Sequence, residues 1–141
     1  MERAVQTLNR LLAAEYGNLV QRLAEADPFV TWPAAEDSAE VRRMCEDSKR
    51  HQGELIQAII RLRGAPVPPT YPTSVGGVHY LTLSVLMPQV IAGVRELVKT
   101  YEQAGTTGDR EADGLIARIL ADHQRHLASL QRLHSNLLQT L

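Results

Sequence analysis

Apolar residues recur at spacings of three and four along almost every long stretch of this chain, and runs that alternate with period two are missing, so the pattern predicts an all-α protein. Four helices emerge. The first extends from Glu2 to Ala26 and stops at Asp27-Pro28, because the proline ring disfavours helical geometry in the residue before it. Its inward stripe is Val5, Leu8, Leu11, Leu12, Glu15, Leu19 and Leu23. The second starts near Ser38, where Asp37 and Glu40 have the spacing of a capping box, and ends at Gly64 with Pro66 beyond. Val41, Met44, Ser48, His51, Leu55, Ile59 and Leu62 share one of its faces. The third runs from Val78 to Gln103 before Gly105, with Pro88 inside it predicting a kink, and presents Leu83, Leu86, Val90, Val94, Leu97 and Tyr101. The fourth follows Asp109, the expected N-cap, and continues to Leu138, with a stripe of Ile116, Ile119, His123, His126, Leu127, Leu130, Leu133 and Leu137.

Connection lengths constrain how these helices assemble. The first and last links are short enough to join antiparallel neighbours. The middle link, Gly64 to Gly77, contains Pro66, Pro68, Pro69 and Pro72 and favours an extended chain. Its reach of ~43 Å exceeds the ~37 Å of a 25-residue helix, so it can cross a whole bundle and let helices two and three run parallel. The expectation is an antiparallel four-helix bundle with a long crossover between helices two and three, the arrangement of ferritin-like folds.

At 141 residues the chain suits a single domain, residues 1–141. A formal charge of -1 without any basic block excludes an ordinary nucleic-acid partner. The lone cysteine, Cys45, rules out an intrachain disulfide framework and Cys-rich metal sites and points to a reducing compartment, with the cytoplasm as default. No secretory signal pattern opens the chain. The most apolar run, Tyr80 to Val94, falls short of the ~20 residues needed to cross a bilayer, so no membrane partner is expected. Leu81, Val85 and Ile91 widen the apolar face of helix three beyond a normal stripe, which suits an oligomer interface or, less readily, a small-molecule pocket.

The candidate chemistry lies in the polar residues that occupy leucine positions, since burying them costs several kcal/mol unless each finds a partner. Glu15, His51, His123 and His126 are these residues. Helix midpoints fall at about residues 14, 51, 91 and 124, which puts all four groups at one level of a bundle of equal helices. One carboxylate and three imidazoles in an apolar interior form a plausible set of ligands for one transition-metal ion such as iron or zinc. The plainer alternative pairs Glu15 with a protonated His51 and satisfies the other two histidines with Ser48 or water.

These residues also carry a family resemblance. Leu8-Asn9-Arg10-Leu11-Leu12-Ala13-Ala14-Glu15 resembles the opening helix of bacterioferritins. His51, followed by Glu54-Leu55-Ile56, Ile59-Ile60, Leu62, Gly64 and Pro66, resembles the stretch after that family's first Glu-x-x-His motif, and Ile119 to Leu127 resembles the second, with His126 on its histidine. The resemblance covers nearly the whole chain. It implies a ferritin-like bundle, a homodimer, and Glu15, His51 and His126 as metal ligands. It also marks what is missing: Ser48 and His123 stand where the motifs carry glutamates, the helix-three glutamate falls on or near Val90, and the haem-binding methionine is Lys49, so no haem is expected. Two irons ~3.5–4 Å apart need bridging carboxylates against their mutual repulsion. A mononuclear site in a degenerate diiron centre is the consistent reading, with residual ferroxidase chemistry the one activity in view.

Other residues carry less. Asp47 and Glu54 flank His51 and are read as outer partners of its imidazole or as solvated charges. Trp32 and Phe29 are read as a plug over the bundle end, Cys45 as an inert small hydrophobe, His79 as a cap or surface residue, His134 as a bundle-end core residue. Ser48 and His51 lack the oxyanion hole and orienting acid of a hydrolase. Against the metal-binding function stands a metal-free bundle acting as a dimeric interaction or regulatory module.

Overall fold

The computed structural model describes residues 2–69 and 82–139, and among them the regular structure is entirely helical, without a strand. The helices are α1 (Glu2–Tyr16), α2 (Val20–Ala26), α3 (Ala35–Arg61), α4 (Leu83–Glu102) and α5 (Arg110–Gln139), with a 3-10 turn at Asp27–Phe29. Residues 64–69 begin the proline-rich link; its remainder, with His79, Leu81 and the expected first turn of helix three, lies outside the described residues.

The first predicted helix is two helices. The backbone breaks at Gly17-Asn18, where glycine lowers helix propensity and the asparagine side chain competes for backbone groups. Asn18 Oδ1 accepts the Val20 N–H at 3.1 Å, and Asn18 Nδ2 donates to Ser48 Oγ at 2.9 Å. The break therefore begins two residues after Glu15 and is tied across to α3 through Asn18.

α3 starts three residues before the predicted Ser38. Ala34 is its N-cap, and Asp37, instead of serving as the cap, reaches back to accept the Ala34 N–H at 3.2 Å. At the other end Gly64 N–H donates to Ile59 O and Arg63 N–H to Ile60 O, both at 2.9 Å, which closes a Schellman motif. The left-handed residue of that motif is Arg63, at φ 63°, and not the glycine. Gly64 is needed for a different reason: a Cβ there would lie 2.5 Å from Val5 Cγ1 on α1 and 2.8 Å from Cγ2. Gly64→Ala should accordingly cost ~1–3 kcal/mol by overpacking, read as a fall in the urea midpoint at unchanged m-value.

α4 carries Pro88 in its interior without breaking, and α5 begins as expected, with Asp109 Oδ2 accepting the Ala112 N–H at 2.9 Å. In the link between them Gly105 and Gly108 take left-handed φ of 68° and 88°.

Long-range contacts run in a ladder. Along α3 and α5 the pairs are Arg61 with Asp109, Glu54 with Arg118, His51 with Asp122, Asp47 with His126, and Glu40 with Arg132. Residue numbers fall on one helix as they rise on the other. The same holds where Asn9 bonds Ala65 and Val67, Asn18 bonds Ser48, and Val20 O accepts from Cys45 Sγ.

The apolar stripes assemble into two clusters. One joins Leu8, Leu11, Leu12, Leu55, Ile59, Leu97, Tyr101, Ile116 and Ile119; the other joins Val20, Leu23, Met44, Leu86, Val90, Val94, Leu130 and Leu133. Along α1–α2, α3 and α5 the polar residues Glu15, Ser48, His51, His123 and His126 sit between members of the two clusters and are all buried. A polar layer thus interrupts the core at one level. Trp32 packs against the second cluster and donates to Asp27 Oδ1 at 2.5 Å. Phe29 does not plug the end: on its 3-10 turn it is 76% exposed. Ile91 is buried and Val85 half exposed, so the broad apolar face of α4 is mostly spent on the core.

Candidate metal centre

Three helices supply the central donors. Glu15 lies in the last turn of α1, His51 midway along α3 and His123 midway along α5, each on the apolar stripe and therefore turned inward. Donor atoms from all three lie within 4.8 Å of one another, and all three side chains are buried. His123 Nε2–H donates to Glu15 Oε1 at 2.5 Å. His51 Nδ1 stands 3.5 Å from the same oxygen, and the two imidazole rings meet edge to face with centroids 4.9 Å apart.

The outer contacts orient these rings. His51 Nε2–H donates to Asp122 Oδ2 at 2.8 Å, leaving Nδ1 aimed at Glu15. Asp122 is in turn paired with Arg125 and, at 3.3 Å, with Arg50. An imidazole held on a carboxylate at one nitrogen and facing a second carboxylate with the other has two ways to avoid lone-pair repulsion. Either Nδ1 carries a proton or a cation lies between it and Glu15.

Ionisation follows the same geometry. Burial opposes the His51 charge, but hydrogen bonding and attraction to Glu15 and Asp122 outweigh it and raise its pKa above the ordinary value. Burial likewise works against the Glu15 carboxylate, and His123 and His51 together pull its pKa below the usual range. Asp122 is lowered as well, its partial burial outweighed by His51 and Arg125.

No family model matches this chain, and no curated protein or solved structure matches it either.

The fourth expected ligand, His126, lies beside the trio. Its ring centroid is 5.7 Å from that of His123 and 6.3 Å from that of His51, and its Nε2–H donates to Asp47 Oδ2 at 2.9 Å. Burial, followed by the nearby histidines, lowers its pKa despite Asp47, so it is held neutral. Asp47 is therefore a partner of His126 and not of His51, and Glu54 turns outward to Arg118 and Arg50. Ser48 is engaged by Asn18 and satisfies no histidine through a hydrogen bond. Cys45 is buried, and burial pushes its thiol up to about 11, which makes it unreactive.

Two contributors escape a reading by stripes. Asp122 sits beside the core face of α5, and only its position one residue before His123 hinted at it. Tyr101 counts as core in the periodicity, yet its ring lies 5.3 Å from the His123 ring, and its hydroxyl is buried without a hydrogen-bond partner among the described residues. Burial, and next the negative charge of Glu15, keep that phenol protonated well above its usual range. The Nδ1 atoms of His51, His123 and His126 are also buried without hydrogen-bond partners among the described residues. A cleft of about 160 Å³, lined by Glu15, Asn18, Ser48 and Gln52 among others, opens at the α1–α2 break and reaches the centre from outside.

A second anion is missing where two metal ions would need it, since Asp122 occupies the outer nitrogen of His51. Two imidazoles, one carboxylate and orphaned ring nitrogens fit a single ion. Among the described residues no helix is long and apolar enough to cross a membrane.

Proposed function

We propose that this chain is a ferritin-like metal-binding protein, an antiparallel four-helix bundle with a long crossover, that holds one transition-metal ion at Glu15, His51 and His123. The observation that carries the reading is the convergence of three buried donors from three helices within 4.8 Å. The contact ladder between α3 and α5 and the resemblance to bacterioferritin helices support the bundle. His126 serves this centre as a neighbour that fixes Asp47 and stays neutral, adding no positive charge. Iron and zinc both suit the nitrogen and oxygen donors. A homodimer follows from the family resemblance, and the buried thiol of Cys45 suits the cytoplasm.

Protein purified without chelator should contain one ion per chain by elemental analysis, and His51→Ala should contain none. Background metal in the wild type, before and after dialysis against ferrous and zinc salts, would end this reading. Affinity should also depend on pH with a definite sign. Because the His51 pKa is raised, an incoming ion must displace a proton from that ring at any pH below the raised value. Binding should strengthen by up to about tenfold per pH unit as pH climbs from ~6.5 toward that raised value, with one proton released, as calorimetry in buffers of different ionisation heat will show.

One observation favours the metal-free alternative, a bundle acting as a dimeric interaction module. Each of the three imidazoles already has a carboxylate partner, Asp122, Glu15 or Asp47. That alternative predicts a dimer on size exclusion that survives exhaustive chelation with unchanged stability, whereas bound metal must add RT ln(1 + [L]/Kd) to it.

A further inference from the structure

α1, α3 and α5 each supply one donor to the centre, and α4 supplies an apolar wall with a single exception. Tyr101, on the last turn of α4, is 2% exposed, and its hydroxyl finds no hydrogen-bond partner among the described residues. Its ring packs 5.3 Å from the ring of His123, one of the three donors. A buried phenol that leaves its hydroxyl unsatisfied forfeits ~1–3 kcal/mol of desolvation, which phenylalanine at the same place would not. The oxygen is near enough to Glu15, the carboxylate of the centre, to be acted on by it, although no hydrogen bond of good geometry joins the two.

We propose that Tyr101 is the fourth protein donor of this centre, its phenol oxygen joining Glu15, His51 and His123 around a hard trivalent ion, ferric iron foremost. This rests on the metal-binding reading above and adds the fourth ligand and the class of ion. The charge balance sets the preference: Glu15 is the only anion among the first three donors, so a trivalent ion leaves two positive charges uncompensated in a buried site. Phenolate removes one. On binding, the O–H bond of Tyr101 breaks, an oxygen–metal bond forms and the proton leaves to solvent; the ion enters already oxidised, so no electron moves. A bound cation reverses the local preference for the protonated phenol in the way it acidifies bound water. Oxygen is also a harder donor than imidazole, which favours ferric iron over softer divalent ions.

The test is titration of the full chain with ferric nitrilotriacetate, reading visible absorption and, after gel filtration, bound iron. Wild type should develop a phenolate-to-iron charge-transfer band that saturates at one iron per chain. Tyr101→Phe should lose the band and bind iron at least roughly tenfold more weakly, the scale on which even outer partners of a metal site act. Tyr16→Phe, altering the half-buried tyrosine next to Glu15, should keep the band. Stoichiometric iron without a band in wild type, or an equal band in Tyr101→Phe, overturns the inference, and the wild-type spectrum decides the matter if the variant does not fold. A parallel zinc titration separates the two levels. Zinc retained while iron is refused or colourless overturns Tyr101 as a ligand and leaves the metal site standing; neither metal retained overturns both.

Discussion

Glu15→Leu should destabilise the metal-free protein by ~3–5 kcal/mol, measured by urea unfolding after chelation, although leucine is the residue the α1 stripe would otherwise carry there. The substitution removes the acceptor of His123 Nε2–H and the carboxylate facing His51 Nδ1, both on buried imidazoles. His51 keeps Asp122 alone. The pH dependence of the difference between wild type and variant identifies the cause. A carboxylate whose pKa is lowered on folding contributes stability above its unfolded value and loses it as pH falls through the folded value. A histidine whose pKa is raised contributes below ~6.5 and loses it as pH rises through the folded value. Glu15 is lowered and His51 raised, so the wild-type advantage should form a plateau between the two and fall away on both sides. A difference that is flat from acid to alkaline pH would show that packing, and not charge, is what the variant lost.

The second large effect has the opposite sign. Replacing the whole trio, Glu15→Leu with His51→Leu and His123→Leu, should stabilise the metal-free chain by ~1–4 kcal/mol while abolishing metal binding. Taken singly, each change strands a partner; taken together, they extend the two apolar clusters toward each other, leaving Ser48 and His126 as the rest of the polar layer, and desolvation of the charged pair is no longer incurred. Asp122 is not stranded by the triple change, because Arg125 and Arg50 still face it. The comparison is a set of urea midpoints at equal m-value for the single and triple variants. A triple variant less stable than its wild type would mean that the polar layer contributes net stability by itself, and the case for a retained binding function would lose its energetic support.

Much of this architecture was legible in the order of residues, for a local reason. Whether a side chain faces the core of a helix is decided by residues three and four away, so the stripes on all four predicted segments, Glu15, His51, His123 and His126 included, end up facing inward with only Val5, Leu19, Leu62 and Leu127 partly open. The Asp109 cap and the stop before Pro28 are equally local. The failures have causes of two kinds. Gly17-Asn18 breaks the first helix because Asn18 has a partner, Ser48, thirty positions away, and no periodicity reports that hydrogen bond. Phe29, an aromatic in a short link, stays exposed because its 3-10 turn presents it to solvent and not to the bundle end.

The donor set shows the same division. Spacing alone brings Glu15, His51, His123 and His126 to one level, but it cannot say which carboxylate each imidazole meets. Whether Asp122 or Asp47 serves His51 depends on the rotation of α5 against α3, and the observed register gives Asp122 to His51 and Asp47 to His126. Tyr101 is further removed, since a tyrosine on an apolar stripe looks like core until its ring is seen beside His123 and its hydroxyl near Glu15, with no hydrogen-bond partner among the described residues. By itself, then, the sequence determined an all-helical chain and a buried polar layer, because helix faces are set by neighbours in the chain. Tertiary structure alone decided the pairing within that layer, the break over the cleft and the place of Tyr101, because those depend on the relative rotation and rise of helices, which no single helix encodes.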